Sequence, residues 1–477
     1  MKRSCEFTVS SRRSDGRKAN SIGGTKFRAG ALAVCLFLVG GGFLPGAELP
    51  NSGKEPEPVV IDLPTVLRLA NAQNLDVQIA RERLASAKAA YEGAVSEFFP
   101  WVSPGITYRR HDNVLQDVSG NMLDVHKESY APGANFSAEV SLGDAIYATL
   151  AAKQTARAAN HAVNAQQQIS VLAAAQAYFD LAAAQARVGV ESEAERIATN
   201  LQGQLASGVS AGLAYKGDEL RARVQAGQAA IELRRAEEER RNAGALLAEI
   251  LHLDAGVDLV APESEMVPIT LVDTNAAMGA LVAQALHQRP ELEQNRALVE
   301  AANSSKNGAL YGPLVPIVGG QAYLGGLGGG MDNGPHRFGD SEDYMVYAGW
   351  RIGPGGLFDF SRRHLAEAQL ESGRLAAEKV KDAVMREVVT GLTRVRSEAD
   401  QLSSAKETLL LATQAEQLAE QRKEFAVGAI LEDIQTQQDL THARNQLVTI
   451  IAEYNKAQYA LQKAVGGAAT ANPQTRR

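Results

Sequence analysis

"FAVGAILEDIQTQQDL", Phe425–Leu440, breaks a long helical pattern with the small-residue run Val427-Gly428-Ala429. A second stretch, "LASGVSAGLAYKGDEL", Leu205–Leu220, repeats the arrangement at a constant offset of 220 positions: Leu205/Phe425, Ala206/Ala426, Gly208/Gly428 and Leu220/Leu440. Upstream the correspondence continues at an offset of 215, pairing Val77 with Leu292, Gly93 with Gly308, Ala94 with Ala309 and Val95 with Leu310. Self-similarity over such distances marks a tandem duplication, so the fold has to be read one repeat at a time.

The first repeat covers 64–254 and the second 275–467. Between them, 255–274 is a Pro-containing linker without helical periodicity, and 468–477 is a polar tail. Each repeat has the same parts in order. A helix, Pro64–Glu97 or Asn275–Leu310, stops at Pro-rich punctuation, "FFPWVSPG" or "YGPLVPIVGG". Proline lacks a backbone donor and clashes with the preceding turn, so helices end there. The pattern then changes period from 3.6 to 2.

In the first repeat a strand pair is expected at about 102–142, from Gly105–His111 and from "FSAEVSL", which puts Phe136, Ala138, Val140 and Leu142 on one side. In the second repeat the pair falls at about 315–353, from Ile317–Leu324 and from "YMVYAGWRI", which aligns Tyr344, Val346, Ala348, Trp350 and Ile352. The polar, glycine-rich stretches between them, 112–129 and 325–343, read as loops. Strands of eight to eleven residues suit a tilted membrane strand, and equally a soluble hairpin.

Helical hairpins follow at about 144–252 and 357–466. Asp144–Leu205 and Phe358–Phe425 contain no proline, and about 60 residues at ~1.5 Å each make rods of roughly 90 Å. Gly208 and Gly428 are expected to supply the permissive backbone where each rod reverses. Ala-rich faces such as "VLAAAQAYFDLAAAQ", Val171–Gln185, permit close helix neighbours on several sides, which points to association with further copies of the chain. The fold class is mainly α with a small β part: tandem long coiled-coil hairpins plus four strands.

The remaining signals bound location and chemistry. The first 28 residues hold eight Lys/Arg against two acids, and the uncharged run Ala29–Ala47 follows. A basic start, a short apolar run and small residues read as an export signal, 1–47, with an uncleaved anchor as the alternative and 48–63 as an extension. "LAVC", Leu32–Cys35, lies at the start of the apolar run with Val before Cys, which argues against lipid attachment. Both cysteines, Cys5 and Cys35, fall in this leader, so the processed chain would have no thiol for a disulfide, a nucleophile or a metal. It would keep 40 basic and 53 acidic residues, a poor balance for binding nucleic acid. No later stretch of 18 or more apolar residues remains, so any further membrane crossing must use strands.

No catalytic, cofactor or metal site is expected. "GVSAG", Gly208–Gly212, matches G-x-S-x-G but lies in a helix-to-helix turn whose counterpart, "GAILE", has no serine. The eight histidines form no H-x-x-x-H or His/acid cluster. A hydrolase using Ser210 and a pore-free coiled-coil scaffold in the periplasm or at the surface are the rival readings.

These residues resemble the TolC-type outer-membrane efflux and secretion channels over essentially the whole processed chain. The likeness rests on the duplicated helix-Pro-strand order, the "F-x-x-G" turn Phe425–Gly428, the descending "LEDIQTQQDL" and the ending "YNKAQYALQKAVG", Tyr454–Gly466. It implies a homotrimer in the outer membrane of a Gram-negative-type bacterium. Three copies would close a twelve-stranded β-barrel bearing Phe136, Val140, Tyr344, Val346 and Trp350 on its lipid face, continued by a helical duct through the periplasm. The tips, Gly208, Val209, Ser210, Val427, Gly428, Ala429 and Ile430, would meet a periplasmic adaptor and through it an inner-membrane transporter. Glu432 and Asp433 would line a constricted entrance, with Gln435 where the family often has a second acid. Such a duct is passive; cargo leaves no mark in the sequence.

Overall fold

The computed structural model describes residues 58–254, 256–262, 266–331, 336–424 and 430–467. The expected leader, the tail 468–477 and the tip residues Val427, Gly428 and Ala429 lie outside them. The first repeat runs β1 (Val59–Val60), α1 (Leu63–Gln73), α2 (Leu75–Ser96), β2 (Trp101–His111), β3 (Val114–Gln116), β4 (Met122–Asp124), β5 (Lys127–Ser141), α3 (Leu142–Ser210) and α4 (Lys216–Leu251). After β6 (Leu259–Val260), the second runs α5 (Met278–Gln288), α6 (Pro290–Tyr311), β7 (Ile317–Met331), β8 (Arg337–Gly349), α7 (Phe360–Glu424) and α8 (Ile430–Ala464).

The rods are longer than expected: α3 has 69 residues and α7 has 65, each about 100 Å at ~1.5 Å per residue. Shorter helices lie along successive stretches of a rod. Along α3, the α2 end sits near Thr149, whose hydroxyl donates to the Ala94 carbonyl at 3.3 Å. Lower down, α4 packs its Leu247, Ala248 and Leu251 on Ala174, Ala177 and Leu181, with Val66 and Ala70 of α1 closing the cluster. The second repeat builds the matching core from Leu281, Ala285, Val384, Val388, Leu392 and Leu461. Phe179 and Tyr459 join the repeats, their rings 5.7 Å apart, and burial beside Tyr178 pushes the Tyr459 hydroxyl up to about 12.

Each expected upstream helix is broken in two, at Asn74 and at Arg289, positions again 215 apart. These breaks are joints where three helix segments meet. Asn74, 7% exposed, caps α2 by accepting from the Asp76 and Val77 amides at 3.0 and 3.3 Å. Its own amide donates to the Ile250 carbonyl near the end of α4, at 2.9 Å, and Ser170 of α3 donates to it at 3.0 Å. Arg289, 3% exposed, reaches the Ala464 carbonyl at the end of α8 at 3.2 Å and pairs with Glu291 and with Glu387 of α7.

The linker is strapped down. Asn455 accepts from the Ile269 amide at 2.7 Å and donates to the Val267 carbonyl at 3.1 Å; Gln458 accepts from the Leu271 and Val272 amides at 3.1 and 3.0 Å. Both side chains are fully buried, so these bonds satisfy side-chain amides that water cannot reach. β6 adds a parallel pairing with β1.

The rod reversal differs from expectation. Gly208 is helical; the residue with positive φ (+73°) is Gly212. The Leu213 amide donates to the Gly208 carbonyl at 2.8 Å and the Gly212 amide to Val209 at 3.0 Å, the paired bonds of a Schellman C-terminus. Gly208 serves close approach instead: a Cβ there would stand 3.0 Å from that of Ala214.

The glycine-rich stretch expected as a loop is also corrected. β7 continues to Met331 and β8 starts at Arg337, so 325–331 and 337–343 are strand. In place of β-carbons the tract holds neighbouring rings: a Cβ at Gly328 would meet the Tyr130 ring at 2.4 Å, and one at Gly326 the Phe338 ring at 2.3 Å. Only glycine fits beneath them. Within 112–129 a short β3–β4 hairpin forms.

Candidate functional site: a one-sided sheet and the rod tips

The four long strands form one antiparallel sheet in the order β2-β5-β7-β8. Register fixes which residues share a face. Val102, Phe136, Ala322 and Tyr344 stand opposite one another across all four strands. By the two-residue alternation of strands the same face carries Ile106, Ala134, Val140, Val318, Leu324 and Val346, with two carboxylates, Asp340 and Glu342, on the edge strand β8, the latter accepting from the Tyr344 hydroxyl at 3.1 Å. This apolar face is uncovered: Ile106 is 78% exposed and Val346 83%. The other face carries Ser103, Thr107, Asn135, Ser137 and Gln321, with Glu139 accepting from the Tyr347 hydroxyl at 2.9 Å.

Aromatic rings bound the apolar band. Tyr108, Tyr130 and Phe338 share one cross-strand level, the last two stacked with centroids 5.9 Å apart. At the other end Trp350, just past β8, donates its indole N–H to the Leu314 carbonyl at 3.1 Å while 59% exposed. From Val102 to Tyr108 the band runs six residues, about 20 Å at ~3.3 Å per residue. That is comparable to the ~25 Å apolar belt of a membrane barrel, which aromatic girdles flank. Among the expected strand residues Phe136, Tyr344 and Val346 lie on the uncovered face, Val140 is half-buried on it, and Trp350 marks its rim. Neither β2 nor β8 has a partner on its outer side among the described residues.

At the opposite end of the rods, the turn 211–215 exposes Leu213 (87%) and Tyr215 (74%). Val209 is half-buried, and the Ser210 hydroxyl donates to the Ser207 carbonyl at 2.7 Å, a helix-end contact with no histidine or acid in it. Ile430 opens α8 and, with Ile434, packs on Leu201, Leu205 and Ala222. The three expected entrance residues separate. Glu432 is half-exposed and pairs with Arg422 of α7. Gln435 is exposed and donates to Asp439 at 3.1 Å. Asp433 is only 3% exposed and faces the helix packing rather than an opening, because its place in the 3.6-residue period beside Ile434 turns it inward. Burial, together with Glu420 and Asp433, pushes the nearby Glu416 carboxyl above its ordinary range.

No helix among the described residues is long and apolar enough to cross a membrane, and no described His, Cys, Asp or Glu cluster could hold a metal. The sequence reading missed the joint and strap residues. Their signals were present: Pro290 disfavours a helical Arg289, and Asn74 with Asp76 behind it is a helix N-terminal pattern. Asn455 and Gln458 sat inside the closing motif with no role assigned.

A sheet mainly apolar on one face and polar on the other, with unpaired edges among the described residues and continued by rods, is the architecture of an outer-membrane channel subunit. The chain belongs to the outer membrane efflux protein family, whose pattern matches residues 66–251 and 281–467. No curated protein matches the chain by sequence. Among solved structures it is similar to a membrane protein from Pseudomonas aeruginosa, at TM-score 0.72 and 19% identity over 88% of this chain and 98% of that one. It is also similar to the CmeC outer membrane channel of Campylobacter jejuni, at 0.73 and 17% over 85% of each chain. The open-state MtrE outer membrane channel of Neisseria gonorrhoeae gives 0.67 and 16% over 87% of this chain and 91% of that one. The protein is thus an efflux channel of the outer membrane, in a family of channels rather than enzymes.

Proposed function

We propose that three copies of the chain close a twelve-stranded barrel and a helical duct, forming the passive exit of a tripartite efflux pump or type I secretion system. The observation that carries this is the sheet with an uncovered apolar face and two unpaired edges. Lipid offers no partner for a strand's amides and carbonyls, and four strands cannot close on themselves. Joining β2 of one copy to β8 of the next satisfies every edge while the apolar face meets lipid. A pore-free scaffold has no use for such a face.

The leader 1–47 directs export and is removed. The rod tips, with Leu213 and Tyr215 exposed, receive a periplasmic adaptor that couples the duct to an inner-membrane transporter. Three Glu432 carboxylates near the entrance favour cations, each partly offset by Arg422. Membrane fractionation followed by native mass measurement tests the assembly: a trimer in the outer-membrane fraction is expected, and a soluble monomer defeats it. In single-channel recording Glu432→Gln should weaken cation preference; unchanged selectivity removes Glu432 from the entrance.

A further inference from the structure

The polar face of the sheet is not uniform along its length. Glu139 and Asp343 lie in the half nearest the rods. At the far end the charges are reversed. Arg109, Ser129, Gly329 and Arg337 stand in one row across all four strands, and His111, Lys127 and Met331 form the next row outward. Arg109, Lys127 and Arg337 are all exposed, and none has a carboxylate partner among the described residues. Above Asp343 that face presents no described carboxylate. Nε2 of His111, beside Lys127, is buried without a hydrogen-bond partner.

The acids of the neighbouring loop are engaged elsewhere. Asp112 accepts from Arg110 at 2.9 Å and bonds His126 at 3.1 Å, and Asp117 accepts from the Ser119 and Asn121 amides of its own turn. Asp124, its side chain 73% exposed, lies 3.8 Å from His126, so none of the loop's acids is paired with Arg109, Lys127 or Arg337.

We infer that Arg109, Lys127 and Arg337 form a cationic collar at the outer mouth of the duct, which favours anions there and holds small polyphosphate-type anions. The inference rests on the sheet being a barrel wall with its polar face inward. Closure would then set Arg337 on β8 of one copy near Arg109 on β2 of the next, tripling the row into a ring. Rings of Arg or Lys are the means by which pores select anions and phosphates. The positive potential of such a ring reaches across an aqueous lumen only when salt is low.

The test is planar-bilayer recording of the full-length trimer. With about 0.01 M salt the screening length is about 30 Å, and with about 1 M it is about 3 Å. Replacing all three residues by Gln (Arg109→Gln, Lys127→Gln, Arg337→Gln) should lower the anion-over-cation permeability ratio at least several-fold in low salt and leave it unchanged in high salt. Arg337→Lys, which keeps the charge, should retain the native ratio and checks that strand-end substitutions preserve the pore. Tripolyphosphate should block current at a lower concentration from the strand-loop side than from the rod side, and the triple variant should abolish that asymmetry. A conducting triple variant with the native ratio and native block overturns the collar. A native chain that never conducts overturns the barrel reading itself, and the collar with it.

Discussion

The two helix joints solve the same problem with different chemistry. At each, the carbonyl end of a descending helix meets the start of a new helix beside a continuous rod. The first repeat uses neutral groups: Asn74 donates to the Ile250 carbonyl, and Ser170 donates to Asn74. At the corresponding position the second repeat places a guanidinium, Arg289, which reaches the Ala464 carbonyl, Glu291, and Glu387 on the rod. Lys463 adds a further bridge to Glu387 at 3.2 Å. Duplication preserved the geometric need, to satisfy orphan helix-end groups away from water. It left the means free, because a neutral amide and a paired charge can both do so.

The difference is easiest to break at the charged joint. Arg289→Met should cost the most, about 3 kcal/mol. That is the low end for breaking a buried pair, because Glu387 is partly solvated. Thermal unfolding of the detergent-solubilised protein would show it as a lowered midpoint, and an unchanged midpoint would mean the joint is not stabilising. Asn74→Ala should cost less, about 2 kcal/mol, since it leaves neutral donors and one carbonyl unpaired.

Acid sharpens the comparison without a mutation. Burial alone would raise the Glu291 and Glu387 carboxyls, but the hydrogen bonds and charge of Arg289, with Lys463, outweigh it and hold both below their ordinary range. Their stabilising effect is therefore complete above the ordinary carboxylate pKa, about 4.3. It is lost as pH falls through the lowered values. Hydrogen-exchange protection, taken relative to the intrinsic rate at each pH, should fall near Arg289 and Ala464 on acidification while protection near Asn74 and Ile250 stays level. An equal loss of protection at both joints would refute the contrast. The smallest effect is expected from Ser170→Ala, about 1 kcal/mol, since its neutral bond to Asn74 and a long one from Gln166 are lost while Asn74 keeps its other partners.

Local pattern was enough to read the repeats, the rods and the strand segments. A 220-residue offset survives in Leu205/Phe425 and Gly208/Gly428 whatever the rest of the chain does, and proline-free helical runs need no distant partner. The glycine tract 325–331 misled because glycine ordinarily ends strands; here Tyr130 and Phe338, from two other strands, fill the space over it. The reversal was assigned to Gly208 because the repeat aligned it, whereas Gly212 has the left-handed backbone. Asp433 looked like a companion of Glu432 by adjacency, and helical period turned it inward.

By itself, then, the sequence determined a duplicated chain of long rods and one-sided strands, since hydrophobic period and breaker residues act within a few positions. The tertiary structure decided the rest: which cross-strand rings permit the glycines, which amides strap the linker, and where the cations gather on the polar face. Those are contacts between residues tens to hundreds of positions apart, and no local rule of spacing encodes them.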